Sequence, residues 1–155
     1  MTGEGGRLTL MRLKPDTSGS VVYKPFNEAD DFTDGWWDDA IYGFEPTQRF
    51  YSFFVGQHEV ARVEIEVQDV LNSEYDQPAH PGPYAVIHFF EVSEDHRRKG
   101  YGTKSVHLIA DRYKAMPLVA FSEGADDFWG SLGWARHEHK TEPDHSRPMY
   151  VSEPR

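Results

Sequence analysis

The chain of 155 residues contains no cysteine. That single absence removes a disulfide framework, a thiolate zinc site and a cysteine nucleophile, so any chemistry must use other groups. Long apolar runs are missing too. None approaches the roughly 20 residues that a membrane-spanning helix needs, and residues 1–9 lack the basic-then-apolar order of a signal peptide. A soluble cytoplasmic protein with no membrane partner is expected. Positive charge is also scarce, with 16 Lys and Arg against 26 Asp and Glu for a net charge of −10. The deficit is uneven: residues 1–77 carry 6 basic and 15 acidic side chains, residues 78–155 carry 10 and 11. An acidic surface repels a nucleic acid backbone, so no nucleic acid partner is expected, and a cationic or amine-bearing one fits better. Solubility alone accounts for such acidity equally well.

Hydrophobic residues make up only 38%, yet ten Phe, eight Tyr and four Trp supply large apolar groups for a core. The length suits one domain over residues 1–155. Strands are expected at 8–13 and 21–23 around a turn at 15–20. Residues 28–41 read as a helix mixing Glu28, Asp30, Asp31, Asp34, Asp38 and Asp39 with Phe32, Trp36 and Trp37. Residues 49–55 and 59–67 form a hairpin about Gly56-Gln57. In its second strand Ala61, Val63, Ile65 and Val67 share one face, and Arg62, Glu64 and Glu66 share a wet one. The proline-rich stretch 69–83 is a surface loop, and residues 84–92 are a buried strand. A helix over 103–114 follows, then a strand at 118–121, a short helix at 124–132, and a closing hairpin of 134–139 with 149–152.

Between the strand at 84–92 and the next helix lies Arg97-Arg98-Lys99-Gly100-Tyr101-Gly102-Thr103. Glycines let the backbone turn tightly, so that successive N–H groups converge on one anion at a helix's positive end. The arrangement suits a diphosphate. It lacks the Gly-Lys-Ser/Thr of a P-loop, and the third glycine and following acidic residue of a dinucleotide fold.

Arg97-x-x-Gly100-x-Gly102, with Gly100 eight residues after Val92 and the turn opening a helix, resembles the acyl-CoA signature of the GNAT superfamily of N-acetyltransferases. Downstream, Leu118-Val119-Ala120-Phe121 and then Ala125-x-x-Phe128-Trp129-x-x-Leu132-Gly133-Trp134 is similar to that family's second motif, in the right order and at the right spacing. The resemblance covers residues 84–139 well and implies an α/β fold: a mixed, mostly antiparallel twisted sheet of six to seven strands flanked by helices. It also implies acetyl-CoA as cofactor and a small-molecule amine as acceptor, held between the acidic segment 28–41, the 69–83 loop and the C-terminal hairpin. A non-catalytic acyl-CoA-binding or partner-binding module and a peptide or protein N-acetyltransferase stay open, as does a homodimer.

Under the resemblance, the backbone N–H groups of Arg98, Lys99, Gly100, Tyr101, Gly102 and Thr103 hold the pyrophosphate, the Arg98 and Lys99 side chains add charge, and the Val92 N–H meets the oxyanion. Alternation along the strand puts Val86, His88, Phe90 and Val92 on one side and Ala85, Ile87, Phe89 and Glu91 on the other. His88 lies upstream of Val92 where the family's proton acceptor is often found, and imidazole, with an ordinary pKa of about 6.5, is suited to the task; a core histidine is the competing reading. Glu91 is the second candidate base, or else an ion-paired carboxylate. Where the family often has an acidic tyrosine, this chain has Trp129, which can only donate a hydrogen bond. The acid is then Tyr150, Tyr101 or Ser131, or none is needed, and Trp129 packs along the pantetheine or in the core. Ser122 stands where the family often has a cofactor-contacting asparagine. Of the eight histidines, only His137 and His139 form a close pair on one strand face, so no metal site is expected.

Overall fold

Long alternating aromatic and β-branched runs, cut by glycine and proline, give this chain more strand than helix. The computed structural model describes residues 7–13, 22–27, 29–33, 35–37, 41–42 and 47–154. In chain order the strands are β1 (Leu8–Leu13), β2 (Val22–Tyr23), β3 (Ile41–Tyr42), β4 (Gln48–Val55), β5 (His58–Gln68), β6 (Tyr84–Val92), β7 (Leu118–Phe121), β8 (Ala135–His137) and β9 (Met149–Val151). The helices are α1 (Tyr101–Arg112) and α2 (Asp126–Ser131), with short 3-10 turns at Glu94–His96 and Pro143–His145.

Seven strands form one mixed sheet in the order β1-β4-β5-β6-β7-β9-β8, as the resemblance implied, and β2 pairs with β3. β1 runs antiparallel to β4, with Leu8 opposite Val55 and Leu13 opposite Phe50. β6 and β7 are parallel, Ala85 facing Leu118, and β9 is antiparallel to both β7 and β8. Ala85, Val86 and Ile87 are all buried, the mark of a strand covered on both faces.

The chain divides into two compact units, Met1–Ile65 with Phe89–Leu108, and Glu66–His88 with Ile109–Arg155. In the first, Phe26, Phe32, Trp37 and Phe50 form a core against which Leu13, Trp36 and Phe89 pack. In the second, Leu71, Tyr75, Tyr84, Val86, Val119, Met149 and Val151 do so.

Two expectations are corrected. The described residues within 28–41 form no helix; they are turns and bends ending in β3. Gly35 takes a φ of 86°, which a right-handed helix excludes, and the aromatics turn inward as separate anchors. Glu28, Asp34, Asp38, Asp39 and the turn at 15–20 lie outside the described residues. Nor is the polar face of β5 uniformly wet, since Arg62 is 2% exposed whereas Val67 is 42% exposed. The Arg62 guanidinium sits 4.2 Å from the Phe32 ring centroid and 4.9 Å from that of Phe26, and donates to Glu59 at 2.8 Å and to the Asn27 carbonyl at 2.7 Å. Phe26, Asn27 and Phe32 therefore cover what periodicity alone left to solvent.

Candidate active site

In the first unit, β6 ends at Val92, the 3-10 turn Glu94–His96 follows, and the basic turn runs straight into α1. Arg98 has a φ of 65° and Gly100 one of 82°. Two residues of positive φ so close together turn the backbone sharply just before the helix. A Cβ on Gly100 would meet nothing within 4 Å, so glycine is required there by conformation rather than by space. α1 begins at Tyr101, two residues before the sequence suggested. Lys104 donates to the Gly100 carbonyl at 3.2 Å, which leaves the N–H groups of Tyr101, Gly102 and Thr103 at the helix's positive end with no intrahelical partner. The Arg98 and Lys99 side chains are exposed beside them.

Arg97 faces the other way. Its Nε donates to the Val92 carbonyl at 3.1 Å and its Nη2 to Glu91 at 3.3 Å, tying the turn back to the strand that precedes it. Glu91 is 7% exposed and also accepts from the Thr33 N–H and the Trp37 indole, both at 2.9 Å, and from the Thr33 hydroxyl. Four donors on two oxygens make it a clamp. Next to it, Ser93 is fully buried; its hydroxyl donates to Asp31 and accepts from His96 Nδ1 at 3.0 Å, while the Glu94 N–H donates to the Asp31 carbonyl at 2.9 Å. Asp31, Thr33, Trp37, Ser93 and His96 thus brace the turn. Sequence reasoning passed over these contacts, because partners some 60 residues apart leave no local pattern.

In the second unit, His88 is exposed on β6, and its Nε2 lies 3.0 Å from Oε1 of Glu66. Ser122 is buried and accepts from the Ala125 N–H at 3.1 Å, shaping the entry to α2. Trp129 is 5% exposed, with its ring 5.0 Å from that of Trp134 and 4.9 Å from that of Phe128. Tyr150 is buried, and its hydroxyl accepts from Arg136 at 3.4 Å; hydrogen bonding to Glu138 raises the guanidinium pKa of that arginine. The Ser131 hydroxyl donates to the Phe128 carbonyl, which commits it locally, and Tyr101, in the first unit, opens α1 beside His96. Among the described residues, no group of three His, Asp or Glu side chains could hold a metal ion, and no helix is long and apolar enough to cross a membrane.

The family model described as acetyltransferase (GNAT) family matches residues 16–134. No curated protein matches the chain by sequence. Among solved structures, an acetyltransferase from Thermus thermophilus has a TM-score of 0.53 at 18% identity over 70% of this chain and 65% of that one. The Bacillus subtilis N-acetyltransferase YlbP, solved in complex with coenzyme A, has a TM-score of 0.53 at 21% identity over 68% and 67%. The chain thus spans about two thirds of the length of both proteins. A chain of the KacTA–DNA complex gives 0.53 at 12% identity over 94% and 92%. These likenesses are likenesses of fold. The family match takes in most of the chain, including both motifs, and on that ground the chain belongs to the GNAT acetyltransferase family.

Proposed function

We propose that the protein transfers an acetyl group from acetyl-CoA, the family's cosubstrate, to a primary amine of a small, cationic acceptor. The observation that carries the proposal is the turn at Arg98 and Gly100, both of positive φ, continued by three N–H groups without an intrahelical partner at the start of a 12-residue helix. That donor set, flanked by two exposed cationic side chains, fits a pyrophosphate in charge and in shape.

Bound, acetyl-CoA supplies an activated thioester. The N–H groups from Arg98 to Thr103 are assigned to the pyrophosphate, with Arg98 and Lys99 adding charge, and Arg97 holds the turn in shape through Val92 and Glu91. The Val92 N–H is assigned by resemblance to the carbonyl oxygen. His88 takes the amine proton, through water. Glu91 is left as a clamp, because its oxygens are already engaged by four donors. Ser122 and Trp129 have complete local roles, and their cofactor contacts rest on the resemblance alone. Trp129 cannot serve as the acid. No residue is assigned that task, in keeping with a thiol pKa of about 8–9.

The surplus of acidic residues favours a cationic acceptor. One structural relative comes from a DNA complex, but a net charge of −10 argues against a nucleic acid partner here. The test is thermal melting with acetyl-CoA, followed by thiol release across a panel of amines and peptides. Saturation at 100 times the dissociation constant adds about 2.7 kcal/mol of stability. No shift would overturn the proposal. A shift without thiol release favours the non-catalytic module that Trp129 also suggests, and release with peptides alone favours a macromolecular acceptor.

A further inference from the structure

On the second unit, Glu66 of β5 and His88 of β6 are paired through Oε1 and Nε2 at 3.0 Å, each side chain about a quarter to a third exposed. An ionised carboxylate can only accept, so this contact requires the proton on Nε2. In the neutral ring the lone pair then belongs to Nδ1, and that atom makes no hydrogen bond among the described residues. Glu66 is itself held, because Gln68 Nε2 donates to the same Oε1 at 3.2 Å. An amide thus orients a carboxylate, and the carboxylate orients an imidazole. The order is that of a base kept in one tautomer by an acidic neighbour, which also stabilises the imidazolium formed when the base takes up a proton.

We propose that Glu66 is a positioning residue: it fixes His88 in the Nε2–H tautomer and leaves Nδ1 as the atom that accepts the amine proton. The step is balanced without Glu66 changing its own protonation. As the acceptor nitrogen bonds to the acetyl carbon and the C–S bond breaks to release coenzyme A as its thiolate, the nitrogen's proton passes through water to Nδ1 and returns to solvent after product departs. The inference rests on the reading of His88 as base under Proposed function. A surface pair with no part in the reaction would leave turnover unchanged when lost.

The test has two arms on the full chain. The first is ¹⁵N NMR of the His88 imidazole at a pH well above the imidazole range. The wild type should show the Nε2–H form, and Glu66→Gln a mixture of tautomers. The second arm is steady-state kinetics. His88→Gln should lower kcat on the order of 100-fold, and Glu66→Gln should lower it at least roughly 10-fold with the KM for acetyl-CoA unchanged. Glu66→Asp should restore part of the loss, and adding Glu66→Gln to His88→Gln should cost nothing more. An Nδ1–H tautomer in the wild type, or an unaltered tautomer and kcat in Glu66→Gln, overturns the proposal while leaving His88 as base. Full turnover in His88→Gln overturns the base assignment itself and, with it, any catalytic role for Glu66.

Discussion

Under the proposed function, glycine at position 100 matters through one angle, a φ of 82°. Because a Cβ there would touch nothing, Gly100→Ala should cost about 1–2 kcal/mol of backbone strain and no steric clash. At about 2–4 °C per kcal/mol, the melting temperature should fall by a few degrees, and titration should show weaker acetyl-CoA binding. His88→Gln should remove the loss of activity on acidification while leaving cofactor affinity intact; an unchanged pH–rate profile would exclude it as the base. Tyr75 sets an alkaline limit. Burial raises its phenol above the usual 10.0, and its hydroxyl donates to the Arg147 carbonyl at 2.7 Å. Below that value both folded and unfolded chains keep the proton and its stabilisation is complete. As pH climbs past 10.0 the unfolded chain releases the proton first, so stability falls. Tyr75→Phe should flatten that decline in denaturant melts from about pH 9 to 11, at a cost of about 1 kcal/mol below pH 9 that shrinks as pH rises.

At the scale of elements, β5 and the segment above it depend on Arg62. Its partner Glu59, which also accepts from the Ser52 hydroxyl, is one-fifth exposed, so Arg62→Met should cost about 3 kcal/mol, the low end for breaking a buried pair. Replacing Glu59 with leucine in the same protein should recover most of it, as read from urea midpoints. All the strands but β3, the two helices and the basic turn were legible because each is encoded locally, by alternation, by a glycine or by a proline. Residues 28–41 were misread because acids and aromatics at helical spacing look alike whether their partner is the next turn or a distant carboxylate. Thr33 and Trp37 answer to Glu91, more than 50 residues away. The same distance hid the clamp role of Glu91, and the link from Glu66 to His88 lay between two strands whose faces were read separately. The parity of Glu66 was visible; its partner was not.

For the whole molecule, the net charge of −10 is a long-range field, and salt screens it over about 10 Å at 0.1 M. The KM for a cationic amine should therefore rise with ionic strength while that for a neutral amine stays level, and parallel curves would remove charge from acceptor selection. Arg98 bears on the molecule in another way. Among the described residues it is the one non-glycine side chain on left-handed backbone. Arg98→Gly should relieve about 1 kcal/mol of strain and melt at a higher temperature, yet grip coenzyme less firmly for want of a charge. Under the proposed function, heat tolerance and coenzyme capture thus pull against each other at one position. A population of variants selected only for survival at high temperature should drift toward glycine there, and lose catalytic fitness as it does.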